Sequence, residues 1–129
     1  MGDPEESATV IMVVDDNETN RELLSIILTA NGYTVIEACN GIEAVKLAAR
    51  SCPDLIIMDL AMPVMDGYGA VRLLRKVPEV CQVPIVACTA HDTSTHRDHA
   101  MRLGFNDFLT KPIDFEHLDS VIDRFLKAA

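Results

Sequence analysis

Five short apolar runs separated by stretches of helical periodicity constrain this chain more than any other feature. The runs are Val10-Ile11-Met12-Val13-Val14, residues 33–38, Leu55-Ile56-Ile57-Met58, residues 83–88 and residues 105–109. A short apolar run bounded by turn residues reads as a strand. Between the runs, Leu23, Leu24, Ile27 and Leu28 recur at helical spacing, as do Val45, Leu47, Ala48 and Ala49, and Val71, Leu73 and Leu74. A polar helix covers about 93–103, and Leu118, Val121, Ile122 and Phe125 share one face of the last helix. Strand followed by helix throughout implies a parallel sheet with helices on both faces. Runs 10–14, 55–58 and 83–88 are apolar throughout and belong in the middle of the sheet, whereas 33–38 and 105–109 are mixed and belong at its edges. The expected fold is α/β, a doubly wound five-stranded (βα)5 sheet of order 2-1-3-4-5.

Local signals support these boundaries. Asn17, Asp66 and Asp114 are placed to cap helices, and Asn40-Gly41-Ile42-Glu43 resembles a capping box. Asn31-Gly32, Cys52-Pro53 and Gly104 end helices, and Gly67 and Gly69 read as helix-start residues. Pro84 lies near the start of its strand, where proline is tolerated. A chain of 129 residues is long enough for one domain with a proper core. Residues 1–8, polar and acidic, are expected to form a frayed tail, with 9–127 as the folded unit and no output domain in this chain.

The chemistry is expected at the strand ends. The first strand runs into Asp15-Asp16, the third into Asp59, the fourth into Thr89, and the fifth stops just before Lys111. In open α/β sheets the carboxyl edge of the strands is where ligands bind. Three carboxylates gathered there repel, at about 4 kcal/mol per pair for ~4 Å separation and an effective dielectric near 20. One lysine cannot offset three such pairs. A hard divalent cation can, and Mg²⁺, or Mn²⁺ in its place, suits carboxylate oxygens. A carboxylate, a metal and a lysine make a phosphoryl-transfer site. Asp59 is the candidate nucleophile, since aspartate can form an acyl phosphate. Lys111 and the Thr89 hydroxyl would contact the phosphoryl oxygens.

Composition removes other classes. The net charge of −9 argues against a nucleic-acid surface on this domain. No apolar run approaches the roughly 18 residues of a membrane span. The acidic start lacks the basic segment of a signal peptide, and Glu6 stands where myristoylation needs Ser or Thr. Cys39, Cys52, Cys81 and Cys88 are far apart with no C-x-x-C pair, which fits free thiols in a reducing cytoplasm.

The chain from about 9 to 127 resembles the receiver domains of two-component response regulators, the CheY-like family with its flavodoxin-like three-layer sandwich. The motifs are VVDDN at 13–17, MDLAMPVMDG at 58–67, TA at 89–90 and DFLTKP at 107–112. The resemblance implies that Asp59 is the phosphoacceptor. It implies that Asp16 and Asp59 ligate Mg²⁺ directly, Asp15 acts mainly through water, and the Ala61 carbonyl completes the protein ligands. The donor would be a phosphohistidine on a sensor histidine kinase or a histidine phosphotransfer protein, or a small acyl phosphate. Lys111-Pro112 would often be cis. Thr89 and Phe108 would form the switch, reported to an unknown downstream protein by the surface of helix four, strand five and helix five. Phe108 lacks the hydroxyl that a phenol-dependent switch needs. Ala61 and His91 sit at positions that tune phosphoryl lifetime. A monomer or a phosphorylation-dependent dimer is expected, self-phosphorylating and self-dephosphorylating and not a dedicated turnover enzyme.

Other readings compete at each residue. Asp15 and Asp16 could merely cap the first helix, Asp59 could be a turn residue before Met-Pro, and Lys111 a solvated surface lysine. Thr89 could be a plain strand end and Phe108 plain core. His91, His96 and His99 invite a metal reading, but no fixed ligand set accompanies them, and a solvated helix face is the simpler expectation. Among whole functions, a haloacid-dehalogenase-type phosphatase needs an acid two residues after the nucleophile, where Ala61 stands. A flavodoxin-like cofactor protein needs a Ser/Thr- or Gly-rich phosphate loop where Asp15-Asp16 stand. A degenerate receiver serving only as an interaction module would not need the full acid, Thr and Lys set. If Ala61 leaves room for the water that attacks the phosphoaspartate, a bulky residue there should slow dephosphorylation; an unchanged decay rate in Ala61→Leu would refute this.

Overall fold

The computed structural model describes residues 9–60, 62, 65–80, 82–90 and 94–127, the side chains of 94–96 and 127 excepted. The elements alternate as expected: β1 (Val10–Val14), α1 (Glu18–Ala30), β2 (Thr34–Ala38), α2 (Gly41–Ser51), β3 (Leu55–Asp59), α3 (Gly67–Leu74), β4 (Ile85–Thr89), α4 (Ser94–Leu103), β5 (Asp107–Thr110) and α5 (Phe115–Ile122). The chain then widens into a π-helical turn over Asp123–Lys127, which no sequence signal announced. All strand pairs are parallel, and the order is β2-β1-β3-β4-β5.

Successive strand residues point to opposite faces of a sheet, so each face collects alternate residues. Met12, Val14, Ile56, Met58, Ile85, Ala87 and Phe108 pack beneath α2, α3 and α4 with Ala44, Ala48, Ala70, Val71, Leu74 and Ala100. Ile11, Val13, Leu55, Ile57, Val86, Cys88 and Leu109 pack against Leu24 and Leu28 of α1 and Leu118, Val121 and Ile122 of α5. The result is three layers. β3 and β4 are buried along their whole length, as central strands should be, while β2 has exposed residues at Thr34 and Glu37.

The ends of elements follow local chemistry. Asn17, Asn40 and Asp66 side chains accept hydrogen bonds from the amides of Asn20, Glu43 and Gly69, and Asp114 accepts one from Glu116. The Glu43 carboxylate reaches back to the Cys39 amide, one residue earlier than a regular capping box. Gly104 adopts a φ of +122° just past α4. β4 begins two residues later than the apolar run at 83, because Pro84 has no N–H to give the ladder. β5 also begins two residues later than expected, and Phe105 is instead a buried loop residue.

Arg75 ties the base of the sheet together. Its guanidinium donates to the carbonyl oxygens of Val83 at 2.7 Å and Gly104 at 2.6 Å, and to Asn106 Oδ1 at 2.6 Å. The same Asn106 oxygen accepts the Ile85 amide at 2.8 Å. One side chain thus joins the end of α3 to the starts of β4 and β5. Arg75→Ala strips hydrogen bonds from partly buried acceptors and should cost about 1–3 kcal/mol. A urea midpoint equal to wild type would contradict this.

Candidate functional site

β1, β3, β4 and β5 end side by side, and their ends carry the polar residues singled out from the sequence. Asp15 follows β1, Asp59 closes β3, Thr89 closes β4, and Lys111 follows β5. Asp15, Asp59 and Thr89 are the three buried polar or charged residues among those described. Asp16 is exposed. One carboxylate oxygen from each of Asp15, Asp16 and Asp59 lies within 4.8 Å of the others. Lys111 Nζ stands 3.2 Å from Asp15 Oδ2 and 3.2 Å from Asp59 Oδ2. The lysine backbone is fixed as well, since its amide donates to the Thr89 carbonyl at 2.7 Å. Its peptide bond to Pro112 is cis.

Register explains the convergence. Asp59 pairs with Cys88, which puts Thr89 one residue beyond on the next strand, and Thr89 pairs with Thr110, which puts Lys111 one residue beyond again. Gly67 lies close against the backbone at the end of β3. A Cβ there would sit 2.7 Å from the Asp59 carbonyl oxygen and 2.9 Å from Leu60 Cα. Its helix-start position is legible in the sequence, but this close backbone approach is not, because it depends on how α3 packs against the end of β3.

Charge dominates the site. Burial works against the charged form of Lys111, but Asp59 and Asp15 outweigh it and hold the lysine pKa above 10.5. Nearby Cys88 behaves oppositely. Burial pushes its thiol from 9.0 up to about 12; Lys111 opposes this, and Asp59 and Asp15 add to it. The donors at hand are carboxylate oxygens, which suit a hard cation such as Mg²⁺ or Mn²⁺.

Other expectations fall out variously. Phe108 is buried on β5, and the Arg97 guanidinium lies 5.3 Å from its ring centroid. His99 packs against Tyr68 with ring centroids 4.8 Å apart and planes tilted by 51°, and no metal-ligand group among the described residues includes it. Ala61 and His91 lie outside the described residues, as does the His96 side chain. Cys39, Cys52 and Cys88 are free thiols. No helix among the described residues is long and apolar enough to cross a membrane. Leu23, which shares the helical spacing of Leu24 and Leu28, is 51 % exposed on α1. It lines a groove of about 630 Å³ with Leu24, Ile113, Phe115, Asp15 and Lys111.

Comparison with known proteins agrees with this geometry. The response regulator receiver domain family matches residues 11–123. The chain is 37 % identical to the protein PilH of Pseudomonas aeruginosa over 90 % of this chain and 96 % of PilH. It is 45 % identical to the response regulator PleD of Caulobacter vibrioides over 81 % of this chain, but spans 23 % of PleD. Among solved structures, the receiver domain of sensor histidine kinase PA1611 from Pseudomonas aeruginosa, with magnesium coordinated in its active-site cleft, is 34 % identical with a TM-score of 0.86, covering 95 % of this chain and 100 % of that one. The Saccharomyces cerevisiae Ssk1 receiver, crystallised with the histidine phosphotransfer protein Ypd1, is 30 % identical with a TM-score of 0.85, covering 92 % and 88 %. The chain belongs to the response regulator receiver family, and is a receiver domain of two-component signalling.

The raised thiol pKa has a measurable consequence. Between pH 9 and about 12 the unfolded chain has lost the Cys88 proton and the folded chain keeps it. Stability therefore falls as pH rises through that window, this group contributing to the decline. Lys111, also held protonated longer when folded, adds a decline above 10.5. Urea midpoints measured across this range should fall less steeply in Cys88→Ala; parallel slopes would contradict the assignment.

Proposed function

We propose that this domain accepts a phosphoryl group on Asp59 while the acidic cluster holds Mg²⁺. The observation that carries the reading is the gathering of three carboxylates within 4.8 Å of one another, two of them paired with Lys111. Three negative charges against one positive leave an excess of two, which suits a divalent cation bound by oxygen. Asp16 and Asp59 would be direct ligands, Asp15 would act through water, and the Ala61 carbonyl would complete the protein's share. When bound, the cation supplies charge neutralisation for the phosphoryl oxygens.

The chain's own residues do the rest. An Asp59 carboxylate oxygen attacks phosphorus as the bond to the donor nitrogen breaks, and the electron pair leaves with the imidazole. Lys111 shifts part of its pairing from Asp59 to a phosphoryl oxygen. The Thr89 hydroxyl donates to another. Water later cleaves the acyl phosphate, so the domain catalyses its own loading and unloading and is not a turnover enzyme. Movement at Thr89, with Phe108 behind it, would alter the surface of α4, β5 and α5 for a downstream protein. Phe108 already lies inside, and without a hydroxyl its part is to fill space. His91 and Ala61 would tune the lifetime of the phosphoryl group. The working unit is residues 9–127, in the cytoplasm, as a monomer or a phosphorylation-dependent dimer.

The donor is proposed to be the phosphohistidine of a sensor histidine kinase or a phosphotransfer protein. Its docking face is the groove lined by Leu23, Leu24, Ile113 and Phe115, because the same groove reaches Asp15 and Lys111. Exposed apolar side chains beside a charged pocket suit a helical partner that delivers an imidazole.

Incubation with Mg²⁺ and acetyl phosphate should add ~80 Da to the wild type and nothing to Asp59→Asn. The same gain in the variant would overturn the phosphoacceptor assignment. Leu23→Ala with Phe115→Ala should slow transfer from a phosphohistidine protein far more than labelling by acetyl phosphate. Equal effects on both donors would remove the docking face.

A further inference from the structure

Arg21 lies in the first turn of α1, where the helix dipole disfavours a cation. Its guanidinium turns back across the helix start. NH1 donates to the backbone carbonyl oxygen of Asp15 at 2.8 Å, and Nε donates to Glu37 Oε1 of β2 at 3.2 Å. The side chain is 17 % exposed, against 40 % for Glu37. A purely superficial ion pair would not need the contact with Asp15.

That contact completes the fixing of Asp15. The Asp15 amide donates to the Ala38 carbonyl at 3.2 Å. Its carboxylate accepts the Asn17 amide at 2.9 Å and Lys111 Nζ at 3.2 Å. The carbonyl held by Arg21 is the remaining polar atom, and it belongs to the peptide that joins Asp15 to Asp16. A peptide unit is planar and rigid, so fixing its oxygen sets the direction in which the chain leaves toward Asp16. Asp16 is exposed, so packing does little to fix its side chain.

We propose that Arg21, anchored by Glu37, is a positioning residue that holds the Asp15–Asp16 peptide through its carbonyl and so aims the Asp16 carboxylate at Asp15 and Asp59. The inference rests on the reading that the acidic cluster holds a divalent cation. The sign of the effect separates positioning from charge. If Arg21 acted only through its charge, removing it would tighten cation binding, because a nearby positive charge repels the ion. If it positions Asp16, removing it weakens binding. If it merely stabilises the fold, the melting temperature moves and the affinity does not.

The test uses the whole chain with Mg²⁺ alone as ligand. Arg21→Met keeps the stem without the charge. Arg21→Lys keeps the charge but cannot serve both acceptors with a planar fork. Both should weaken Mg²⁺ binding by roughly tenfold, the size usual for supports behind a metal ligand. Glu37→Gln should give a smaller loss in the same direction. In the metal-free protein, the Asp16 amide nitrogen belongs to the same peptide, so its chemical shift should move in both Arg21 variants. Wild-type binding with unchanged or tighter affinity in both variants would overturn the proposal, as would an unmoved Asp16 amide. Absence of Mg²⁺ binding in the wild type would end the reading of the site, while the metal-free shift would still decide whether Arg21 holds the peptide.

Discussion

Mutual repulsion among Asp15, Asp16 and Asp59 is the constraint on which the site depends. A folding chain gains nothing by collecting like charges at one end of its sheet. Here the collection is enforced by topology: β1 and β3 are neighbours, both are buried against helices, β1 runs directly into Asp15 and β3 ends in Asp59. Lys111 answers part of the conflict from the far side of β4. The remaining negative charge suits the end of the sheet to a divalent cation.

The machinery around this pocket is backbone as much as side chain. The Lys111 amide is bonded to the Thr89 carbonyl, the Asp15 amide to Ala38, and the Leu60 amide to Cys88. Gly67 lets the start of α3 lie against the backbone of Asp59 and Leu60. Preorganisation of this kind lets a site act on charge without rearranging first. The groove lined by Leu23 and Phe115 is also lined by Asp15 and Lys111, so it adjoins the acidic pocket.

Much of this was legible in the sequence because it rests on short-range patterns. Apolar runs of β1, β3 and β4 gave the central strands, and their terminal residues gave the pocket. The resemblance to receivers supplied roles that spacing alone could not. What escaped was set by tertiary geometry. Leu23 has helical spacing with Leu24 and Leu28, yet α1 is rotated so that Leu23 faces out. Ala44 is core because α2 lies close to the sheet, which a small side chain allows but does not announce. Cys52 adopts the left-handed conformation, φ 46°, that a glycine would have signalled after α2. Arg21 reads as a surface charge until its carbonyl partner is seen.

The central claim is that uncompensated carboxylate charge at the strand ends makes this fold a Mg²⁺ receptor. Its most direct measurement is the melting temperature as a function of Mg²⁺ concentration, in wild type and in Asp16→Asn. A ligand that binds the folded state raises its stability in proportion to the logarithm of its concentration once the site fills. The account requires the wild type to gain stability with Mg²⁺, and Asp16→Asn to melt higher than wild type without the ion and gain little from it. A wild-type melting temperature indifferent to Mg²⁺, or equal gains in both proteins, would contradict it.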